Sequence, residues 1–354
     1  MPSDSVPTGA EDGIAVSLRA FDDIVLEGYR NLFPGDPDKT VDLLKWRFRS
    51  NPHGEACFAV ASKGGDVVGM IALVPTLLRT PTGNRHGYQA IDTVVHPSGQ
   101  GRGLFVRMGR LAQDSAEHGG EILWGFPNAN AAPGWYGRLG WTNFGPAPLL
   151  MRPLRSSFLL GRIHARLRSM DLPLIRGRRI SQRILDCGDR PGDCFGLLWE
   201  RVKQDFGVAV DRDRRWIDWR LKQKPGADYR CVALKDDSGN LDAFAALKIA
   251  DKHGARLCYV MDAICARGRT ADLARLLHSE LALAARSGAE AALAWCPRTA
   301  PNYRAYRKAG FVSVPSRLRP IEINFGARAL RDEFASTAAS GADWYVSFLD
   351  SDTN

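Results

Sequence analysis

The sequence predicts an α/β protein in which one structural unit occurs twice. Its 354 residues exceed the size at which a single hydrophobic core stops growing. Short apolar runs typical of strands alternate with helical patterns, and each half of the chain has them in the same order. The composition is that of a globular protein, with 45% hydrophobic and 25% charged residues. We therefore expect two domains of mixed α/β structure.

The first half contains the elements of one such unit. A helical pattern in residues 43–54 ends at an Asn-Pro turn, and strand-like runs follow in 57–62 and 67–74. A third strand-like run, AIDTVV (90–95), leads into a glycine-rich turn and a further helix. The motifs ILWGFP and WYGRLGW complete the unit.

The second half repeats this order after residue 190. A helical pattern in 216–226 again enters a turn, three strand-like runs follow, and a helix is expected over 270–285. An offset of 170 positions aligns four residues of each half: Asp92 with Asp262, Pro127 with Pro297, Tyr136 with Tyr306 and Gly140 with Gly310. We therefore predict a tandem repeat of one α/β unit.

The predicted organisation has five parts. They are a disordered start over 1–13, a first domain over 14–150, a basic linker over 151–190, a second domain over 191–325 and a C-terminal extension over 326–354.

The linker contains most of the net charge of +9. Between residues 152 and 183 it has one acid, Asp171, and nine arginines: Arg152, Arg155, Arg162, Arg166, Arg168, Arg176, Arg178, Arg179 and Arg183. Such a block suits nucleic acid, an anionic membrane or a phosphorylated small molecule, and it equally fits a solvated linker helix. Because no recognised DNA- or RNA-binding motif accompanies it, we expect no nucleic-acid partner.

The seven cysteines are scattered, without a Cys-x-x-Cys pair. This argues against a disulfide framework or a metal cluster and favours a reducing compartment. The start has no signal-peptide pattern, and no apolar run approaches the ~18 residues of a membrane span. We expect a cytoplasmic protein without stable membrane insertion, and the sequence leaves its oligomeric state open.

Three glycines, Gly99, Gly101 and Gly103, lie between the strand-like run and the next helix. Such a turn is a ready anion site, because the first backbone N–H groups of a helix are unpaired and glycine lets a phosphate approach closely. A P-loop would need a lysine that is absent here, and a dinucleotide fingerprint would need a glycine at Leu104.

Gln100–Phe105 is similar to the coenzyme A loop of the GNAT acetyltransferases, Gln/Arg-x-x-Gly-x-Gly/Ala. It departs from that loop only at Phe105, where the family has a small residue. The segment NANAAPGWYGRLGW (128–141) resembles the family's next motif, an Asn followed by Tyr-x-x-x-Gly-aromatic. More narrowly, the chain resembles tandem GNAT N-acyltransferases, some of which modify nucleotide-linked amino sugars for bacterial polysaccharides. The resemblance covers 14–150 well and 190–325 weakly.

This resemblance implies two GNAT folds, each a mixed, mostly antiparallel central sheet flanked by helices. It implies acetyl-CoA or another acyl-CoA as co-substrate, no metal, and direct attack by an amine in a ternary complex. The cofactor-binding residues that it implies are Val94, Val95, Gln100, Gly101, Arg102, Gly103, Leu104, Phe105 and Asn128. The second copy has Thr270–Leu273 at the aligned positions, without a glycine turn, so we expect it not to bind acyl-CoA.

Three residues are candidates for proton transfer. Tyr136 occupies the place of the family's general acid, although a core position on an amphipathic helix is the alternative. Asp92 and His96 are candidates for the base that accepts the proton of the amine. The counterpart Asp262 favours a structural role for Asp92, and a His at a strand end is more often simply exposed. Asn128 could equally cap a helix.

The favoured function is therefore transfer of an acyl group to the primary amine of a small molecule. A nucleotide-linked amino sugar is the favoured acceptor, because the basic chain suits an anionic partner, and Arg47 is a candidate for its phosphate. Acetylation of an antibiotic, peptide or protein lysine is the alternative within enzymes. A non-catalytic acyl-CoA-binding module is the alternative outside them.

Overall fold

The computed structural model describes residues 8–11, 13–117, 119–163, 171–176, 184–319 and 323–351. The chain divides into two units. The first comprises Met1–Pro146 and Glu322–Gly341, and the second comprises Ala147–Ile321 and Ala342–Asp352. Each unit contains one mixed sheet flanked by helices, which confirms the predicted α/β fold class.

The first unit begins with the elements that precede residue 147. Its helices are α1 (Asp23–Leu32), α2 (Val41–Phe48), α3 (Leu104–Glu117) and α4 (Ala132–Gly137). Its strands are β1 (Thr8–Glu11), β2 (Ile14–Ala20), β3 (Cys57–Lys63), β4 (Asp66–Thr80), β5 (Gly83–Val95), β6 (Ile122–Gly125) and β7 (Thr142–Pro146).

The chain from residue 147 onward has the remaining elements. The helices are α5 (Ser156–Ile163), α6 (Pro191–Val202), α7 (Arg214–Leu221), α8 (Thr270–Arg286) and α9 (Tyr303–Lys308). The strands are β8 (Leu149–Pro153), β9 (Ile184–Asp186), β10 (Ala209–Val210), β11 (Arg230–Lys235), β12 (Leu241–Lys252), β13 (Ala255–Cys265), β14 (Ala291–Trp295), β15 (Val312–Ser313) and β16 (Asn324–Ala329).

The two sheets have the same pairing pattern. The first runs β1-β2-β3-β4-β5-β6-β16-β7, and along this path only the β5·β6 pair is parallel. The second runs β9-β11-β12-β13-β14-β8-β15, and only β13·β14 is parallel. In both sheets, a long antiparallel hairpin is followed by a parallel strand reached through a helix, α3 or α8, as a parallel connection requires.

Helices cover both faces of the first sheet. Side chains alternate between the two faces along each strand, so each face has its own core. On the face covered by α3 and α4, which we call the α3 face, Ile71 and Leu73 join a core with Met108 and Leu139. The opposite face, which we call the α1 face, carries a second core under α1 and α2. That core includes Tyr29, Phe48, Phe58, Met70, Ala72, Val74 and Ile91.

Each sheet contains a strand from the distant part of the sequence. β16 lies between β6 and β7, and β8 lies between β14 and β15. Each of these strands carries an arginine that donates to the carbonyl before a left-handed glycine. Arg328 donates to Leu139 at 2.6 Å, next to Gly140, and Arg152 donates to the carbonyl before Gly310.

The two units differ from the domain boundaries expected at 150 and 325. The chain leaves the first sheet after β7, so β8 belongs to the second unit, and β16 returns to the first. Residues 342–351, expected in an extension, belong to the second unit. The expected disordered start also differs in part, since β1 pairs with β2. Sequence patterns do not reveal the places of β8 and β16, because both depend on pairing between residues far apart in the chain.

The structure describes part of the basic linker. Arg155 forms an ion pair with Asp171 and also donates to the Ala285 carbonyl at 2.9 Å. Five of the nine arginines lie outside the described residues: Arg166, Arg168, Arg178, Arg179 and Arg183. No described helix has both the length and the apolar character that a membrane crossing requires.

A disulfide joins Cys187 to Cys194, so the expectation of unpaired cysteines is wrong for this pair. Cys187 follows β9 and Cys194 lies in the first turn of α6, and the short turn between them brings the two side chains together. The other five cysteines are free, and burial raises the pKa of each thiol. A thiol whose pKa is raised by burial is a poor nucleophile at neutral pH.

Arg212 is the centre of a buried ionic network in the second unit. Its guanidinium is fully buried and contacts Asp262 and Asp350, each at 2.7 Å. The hydroxyls of Tyr345 and Ser347 donate to Asp262. Because Tyr345, Ser347 and Asp350 come from the C-terminal segment, the network holds that segment against the second sheet.

The substitution Arg212→Met keeps an unbranched apolar stem but removes the cation between two buried carboxylates. We expect it to lower the free energy of unfolding by about 3–5 kcal/mol, measured by urea denaturation and calorimetry. The matched control is Arg275→Met, whose ion pair with Asp272 is largely exposed and should lose less than about 1 kcal/mol. Equal losses for the two variants would contradict the role given to Arg212.

Candidate active site

The parallel pair β5·β6 is short, and this opens a gap in the first sheet. The two strands pair only at Gly87, Tyr88 and Gln89, although β5 continues to Val95. Opposite β4, the register of β5 shifts between Ile91 and Val94, which is a β-bulge. The end of β5 therefore presents backbone groups that β6 does not pair.

Asp92 stands at this bulge with a left-handed backbone, φ +49°. It accepts a hydrogen bond of 2.7 Å from the Tyr29 hydroxyl and another from the Lys39 ammonium group, and the Arg47 guanidinium lies 4.0 Å away. These partners come from α1, the turn before α2, and α2. The contacts support a structural role for Asp92, and Arg47 is buried beside it.

Tyr29 and Lys39 were missed by sequence reasoning. They precede Asp92 by 63 and 53 residues, and no local pattern marks a contact over such a distance. Only the packing of α1 on the sheet brings them together.

The glycine turn begins with a short 3-10 turn over Pro97–Gly99. Gly101 and Gly103 then have φ +77° and +67°, a conformation that favours glycine. A Cβ atom at either position would meet no atom within 4 Å, so both glycines border open space. α3 starts at Leu104, whose buried side chain fixes the start of the helix in the core.

Four backbone N–H groups at this turn have no hydrogen-bond partner among the described residues: those of Gly101, Gly103, Leu104 and Phe105. They gather at the N-terminus of a 14-residue helix, where the helix dipole also favours an anion. The open space beside the glycines lets a diphosphate reach these donors. The turn therefore fits the pyrophosphate of an acyl-CoA.

The packing around Phe105 explains why this turn tolerates a large residue. Its ring packs edge-to-face on Trp135 at 5.5 Å. A Cβ at position 134 would lie 2.2 Å from that ring, so Gly134 leaves the space that Phe105 fills. The departure from the family pattern is thus accommodated within α4.

The other predicted cofactor residues lie around the gap. Val94 packs in the core on the α1 face and Val95 in the core on the α3 face. The Gln100 amide donates to the Val95 carbonyl at 3.5 Å, and Arg102 is exposed. Asn128 is also exposed, but its side-chain oxygen accepts from two backbone N–H groups of the turn before α4. Asn128 thus stabilises the turn before α4, whereas the N-cap residue of the helix itself, Ala131, has no side-chain cap.

Tyr136 lies on α4, with its ring under β16 on the α3 face. A Cβ at Gly326 would lie 2.6 Å from the ring and 3.1 Å from the hydroxyl oxygen, so this glycine makes room for Tyr136. The hydroxyl is buried and has no hydrogen-bond partner among the described residues. Burial raises the pKa of Tyr136 well above its ordinary value, so the hydroxyl keeps its proton.

His96 is exposed and caps the 3-10 turn. Its Nδ1 accepts from the Ser98 backbone N–H at 3.2 Å. A neutral imidazole has one donor and one acceptor nitrogen, so Nε2 then carries the proton. This contact occupies the lone pair that a general base would use.

The second unit differs at the corresponding place. Only four residues separate β13 from α8, and Gly268 there has φ +77°. Thr270–Leu273 lie inside α8, so the ungapped alignment of these residues with Gln100–Gly103 is wrong. The buried Asn302 amide donates to the Ala263 carbonyl at 2.6 Å, and thus a side chain occupies the backbone acceptor at the end of β13.

Residues 25–144 match the family model of the GNAT acetyltransferase domain. No curated protein matches the chain by sequence. Among solved structures, the chain is similar to Saccharomyces cerevisiae N-myristoyltransferase with bound myristoyl-CoA, at TM-score 0.60 and 11% identity, over 92% of this chain and 85% of that one.

Two further solved structures have a similar fold. A probable N-acyltransferase from Enterococcus faecalis gives TM-score 0.60 and 10% identity, over 90% of this chain and 73% of that one. A GCN5-related N-acetyltransferase from Anabaena variabilis gives TM-score 0.58 and 12% identity, over 89% and 73%. At these identities the likeness concerns the fold.

The first unit therefore contains a GNAT acetyltransferase domain. This match supports the expectation from the sequence of an acyltransferase that uses acyl-CoA as its co-substrate. Among the described residues, no group of three or more His, Cys, Asp or Glu could hold a metal ion.

The turn makes a direct prediction for CoA binding. We expect calorimetry to find one CoA per chain, and Gly103→Asp to weaken binding by about 100-fold or more, because it places a negative charge beside the pyrophosphate donors. The new side chain meets no protein atom, and Asp tolerates a positive φ better than most residues, so the fold should persist.

The matched control is Gly268→Asp, at the positive-φ glycine of the second unit. It should leave the affinity and stoichiometry for CoA unchanged. Unaltered binding by Gly103→Asp would remove the turn from the cofactor site.

Proposed function

We propose that the protein transfers an acyl group from acyl-CoA to the primary amine of a small molecule, with a nucleotide-linked amino sugar as the favoured acceptor. The main support for this proposal is the glycine turn directly after the gap between β5 and β6. Four of its backbone N–H groups have no hydrogen-bond partner among the described residues. An antibiotic, peptide or protein lysine acceptor has no comparable support, since the chain is basic overall.

In this proposal the turn residues Gly101–Phe105 bind the pyrophosphate through their backbone. The unpaired edge of β5 after Gln89 orients the pantetheine arm and donates to the carbonyl oxygen that becomes negative during attack. Bound acyl-CoA supplies the thioester carbon to which the amine nitrogen bonds as the carbon–sulfur bond breaks.

Tyr136 is the proposed general acid. The departing sulfur leaves as a thiolate and needs a proton, which the Tyr136 hydroxyl can give. One observation supports this role: the hydroxyl is buried and has no hydrogen-bond partner among the described residues. A buried hydroxyl without a hydrogen bond costs about 1–3 kcal/mol, which a functional contact would offset.

Neither predicted base is well placed to take the proton of the amine. Asp92 is held by Tyr29 and Lys39, and the Nδ1 lone pair of His96 caps a turn. We propose that Asp92 fixes the bulge of β5, that His96 fixes the turn, and that water accepts the proton.

We also propose that the second unit is a degenerate copy of the first that does not bind acyl-CoA. Support comes from the shared strand order and from Asp92 and Asp262, which both lie at a bulge next to the parallel pair.

The proposed location of the protein is the cytoplasm. This now depends on the use of acyl-CoA alone, because the Cys187–Cys194 disulfide removes the argument from unpaired cysteines.

Tyr136→Phe tests the proposed acid, since it keeps the ring and removes only the hydroxyl. We expect kcat for release of CoA to fall by ~10²–10⁴, with CoA affinity unchanged by calorimetry. The matched control is Tyr306→Phe in the second unit, whose buried hydroxyl also has no partner and whose loss should leave kcat unchanged.

The pH dependence of the wild type is a second test of Tyr136. Because the pKa of Tyr136 is raised, the acid stays protonated as the pH rises. We expect kcat to show no loss near pH 10, where an ordinary tyrosine deprotonates. If kcat of the Tyr136→Phe variant lay within twofold of the wild-type value, Tyr136 would have a packing role and not a role as the acid.

A further inference from the structure

The segment 171–176 of the second unit is fixed beside the start of α5. The Ser156 N–H donates to the Leu172 carbonyl at 2.8 Å, and the Leu172 N–H donates to the Ser156 hydroxyl oxygen at 2.7 Å. The Leu174 N–H donates to the Leu154 carbonyl at 2.8 Å. The backbone of this segment is therefore held at both leucines.

Further contacts hold the two ends of the same segment. The Asp171 carboxylate forms an ion pair with Arg155 at 2.8 Å, and His278 Nε2 lies 3.1 Å from the Arg176 carbonyl. The side chain of Ile175 is buried. Side chains of this segment that point outward therefore do so from a fixed backbone.

Three leucines of this arrangement are exposed to solvent: Leu159 at 44%, Leu172 at 69% and Leu174 at 51%. The Ser156 side chain contacts Leu172, so the Ser156 face of α5 is directed to the segment. Leu159 shares that face, because it lies three positions further along the helix. Single exposed leucines are common on protein surfaces, whereas three neighbouring ones form an apolar patch. We call Leu159, Leu172 and Leu174 the leucine patch.

The leucine patch lies in a strongly basic part of the sequence. Residues 152–183 contain nine arginines and one acid. The acid, Asp171, is already paired with Arg155, so it does not offset the other arginines. Arg176, two positions after Leu174, is exposed. The patch therefore combines an apolar surface with a net positive charge around it.

This combination distinguishes among the partners that a basic region can have. Nucleic acid would use arginines together with aromatic rings that stack on bases, and not exposed leucines. A small phosphorylated molecule would pair with arginines but leave the leucines in water. A second copy of the chain would bring two basic regions together, and these repel each other. The surface of an anionic bilayer offers phosphates to the arginines and acyl chains to the leucines.

We infer that the leucine patch is a peripheral contact for the surface of anionic phospholipid membranes. The leucines insert between the lipid headgroups, and Arg176 lies at the lipid phosphates. The net positive charge of residues 152–183 attracts the protein to the surface. The contact is reversible and needs no helix that crosses the membrane. It goes beyond the proposed function and does not depend on acyl transfer.

The experiment measures sedimentation of the full chain with sucrose-loaded vesicles. The vesicles consist of phosphatidylcholine alone, or of phosphatidylcholine and phosphatidylglycerol in equal parts. The test variant combines Leu172→Gln with Leu174→Gln, because both side chains are exposed and the backbone contacts remain. The matched control combines Leu197→Gln with Leu318→Gln, two leucines of the second unit outside the patch that are exposed at 67% and 59%.

We expect the wild type to bind the phosphatidylglycerol vesicles about tenfold more strongly than the phosphatidylcholine vesicles, and to lose this preference as salt is raised. The variant of Leu172 and Leu174 should bind the phosphatidylglycerol vesicles about tenfold more weakly than the wild type, because two apolar side chains no longer leave water. Arg176→Gln should weaken this binding by about fivefold, the effect of one arginine near an anionic surface. Arg317→Gln, at another exposed arginine of the second unit, and the control leucine variant should bind like the wild type.

Equal binding of the wild type to the two vesicle types, or equal losses for the two leucine variants, would overturn the inference. Vesicle binding that salt abolishes but that the loss of Leu172 and Leu174 leaves unchanged would overturn it too, because charge alone would then explain the contact. A dimer seen by analytical ultracentrifugation without vesicles, and lost in the same variant, would assign the leucine patch to a second copy of the chain. Tighter binding to a DNA duplex than to either vesicle would assign the basic region to nucleic acid.

Calorimetry with CoA separates this inference from the proposed function. Every variant should keep the CoA affinity of the wild type, which also shows that the variants are folded. If CoA binds but the vesicles do not, the membrane contact fails and the proposed transferase stands. If the vesicles bind through the leucine patch but CoA does not bind, the proposed function fails and the membrane contact stands.

Discussion

The separation of β5 from β6 is the constraint on which the candidate active site depends. The strands pair at only three positions, and a bulge then turns the end of β5 away from β6. The bulge requires a left-handed residue, which for a non-glycine side chain costs of the order of 1–3 kcal/mol. The hydrogen bonds that Asp92 accepts from Tyr29 and Lys39 offset this cost. The helices α1 and α2 thus hold open a gap that the strands alone would tend to close.

The same arrangement has a different outcome in the second unit. Asp262 follows the parallel pair and is held by the buried Arg212 and by residues of the C-terminal segment. There, Asn302 donates to the Ala263 carbonyl and accepts from Cys296. Where the first unit leaves backbone groups available, the second satisfies them with buried side chains. This is a physical reason for the proposal that only the first unit binds acyl-CoA.

The strands β8 and β16 make each unit dependent on distant sequence. Each inserts between two strands of the other half, and its arginine binds the carbonyl ahead of a left-handed glycine. β16 also supplies Gly326, which accommodates the ring of Tyr136. The proposed acid therefore depends on a strand more than 200 positions after the glycine turn.

The sequence by itself determined the features that depend on neighbouring residues. The glycine turn, the start of α3, Tyr136 on α4 and the α/β class all follow from local spacing, because left-handed glycines and helix starts are decided within a few residues. The tertiary structure alone decided which strand each sheet receives, the partners of Asp92 and the ring packing of Phe105 on Gly134. It also placed the Asn128 side chain on the backbone of the turn before α4 and brought Phe126, Phe325 and Phe144 together. These contacts join residues far apart in the chain, and their energies arise only when the folded core fixes both partners.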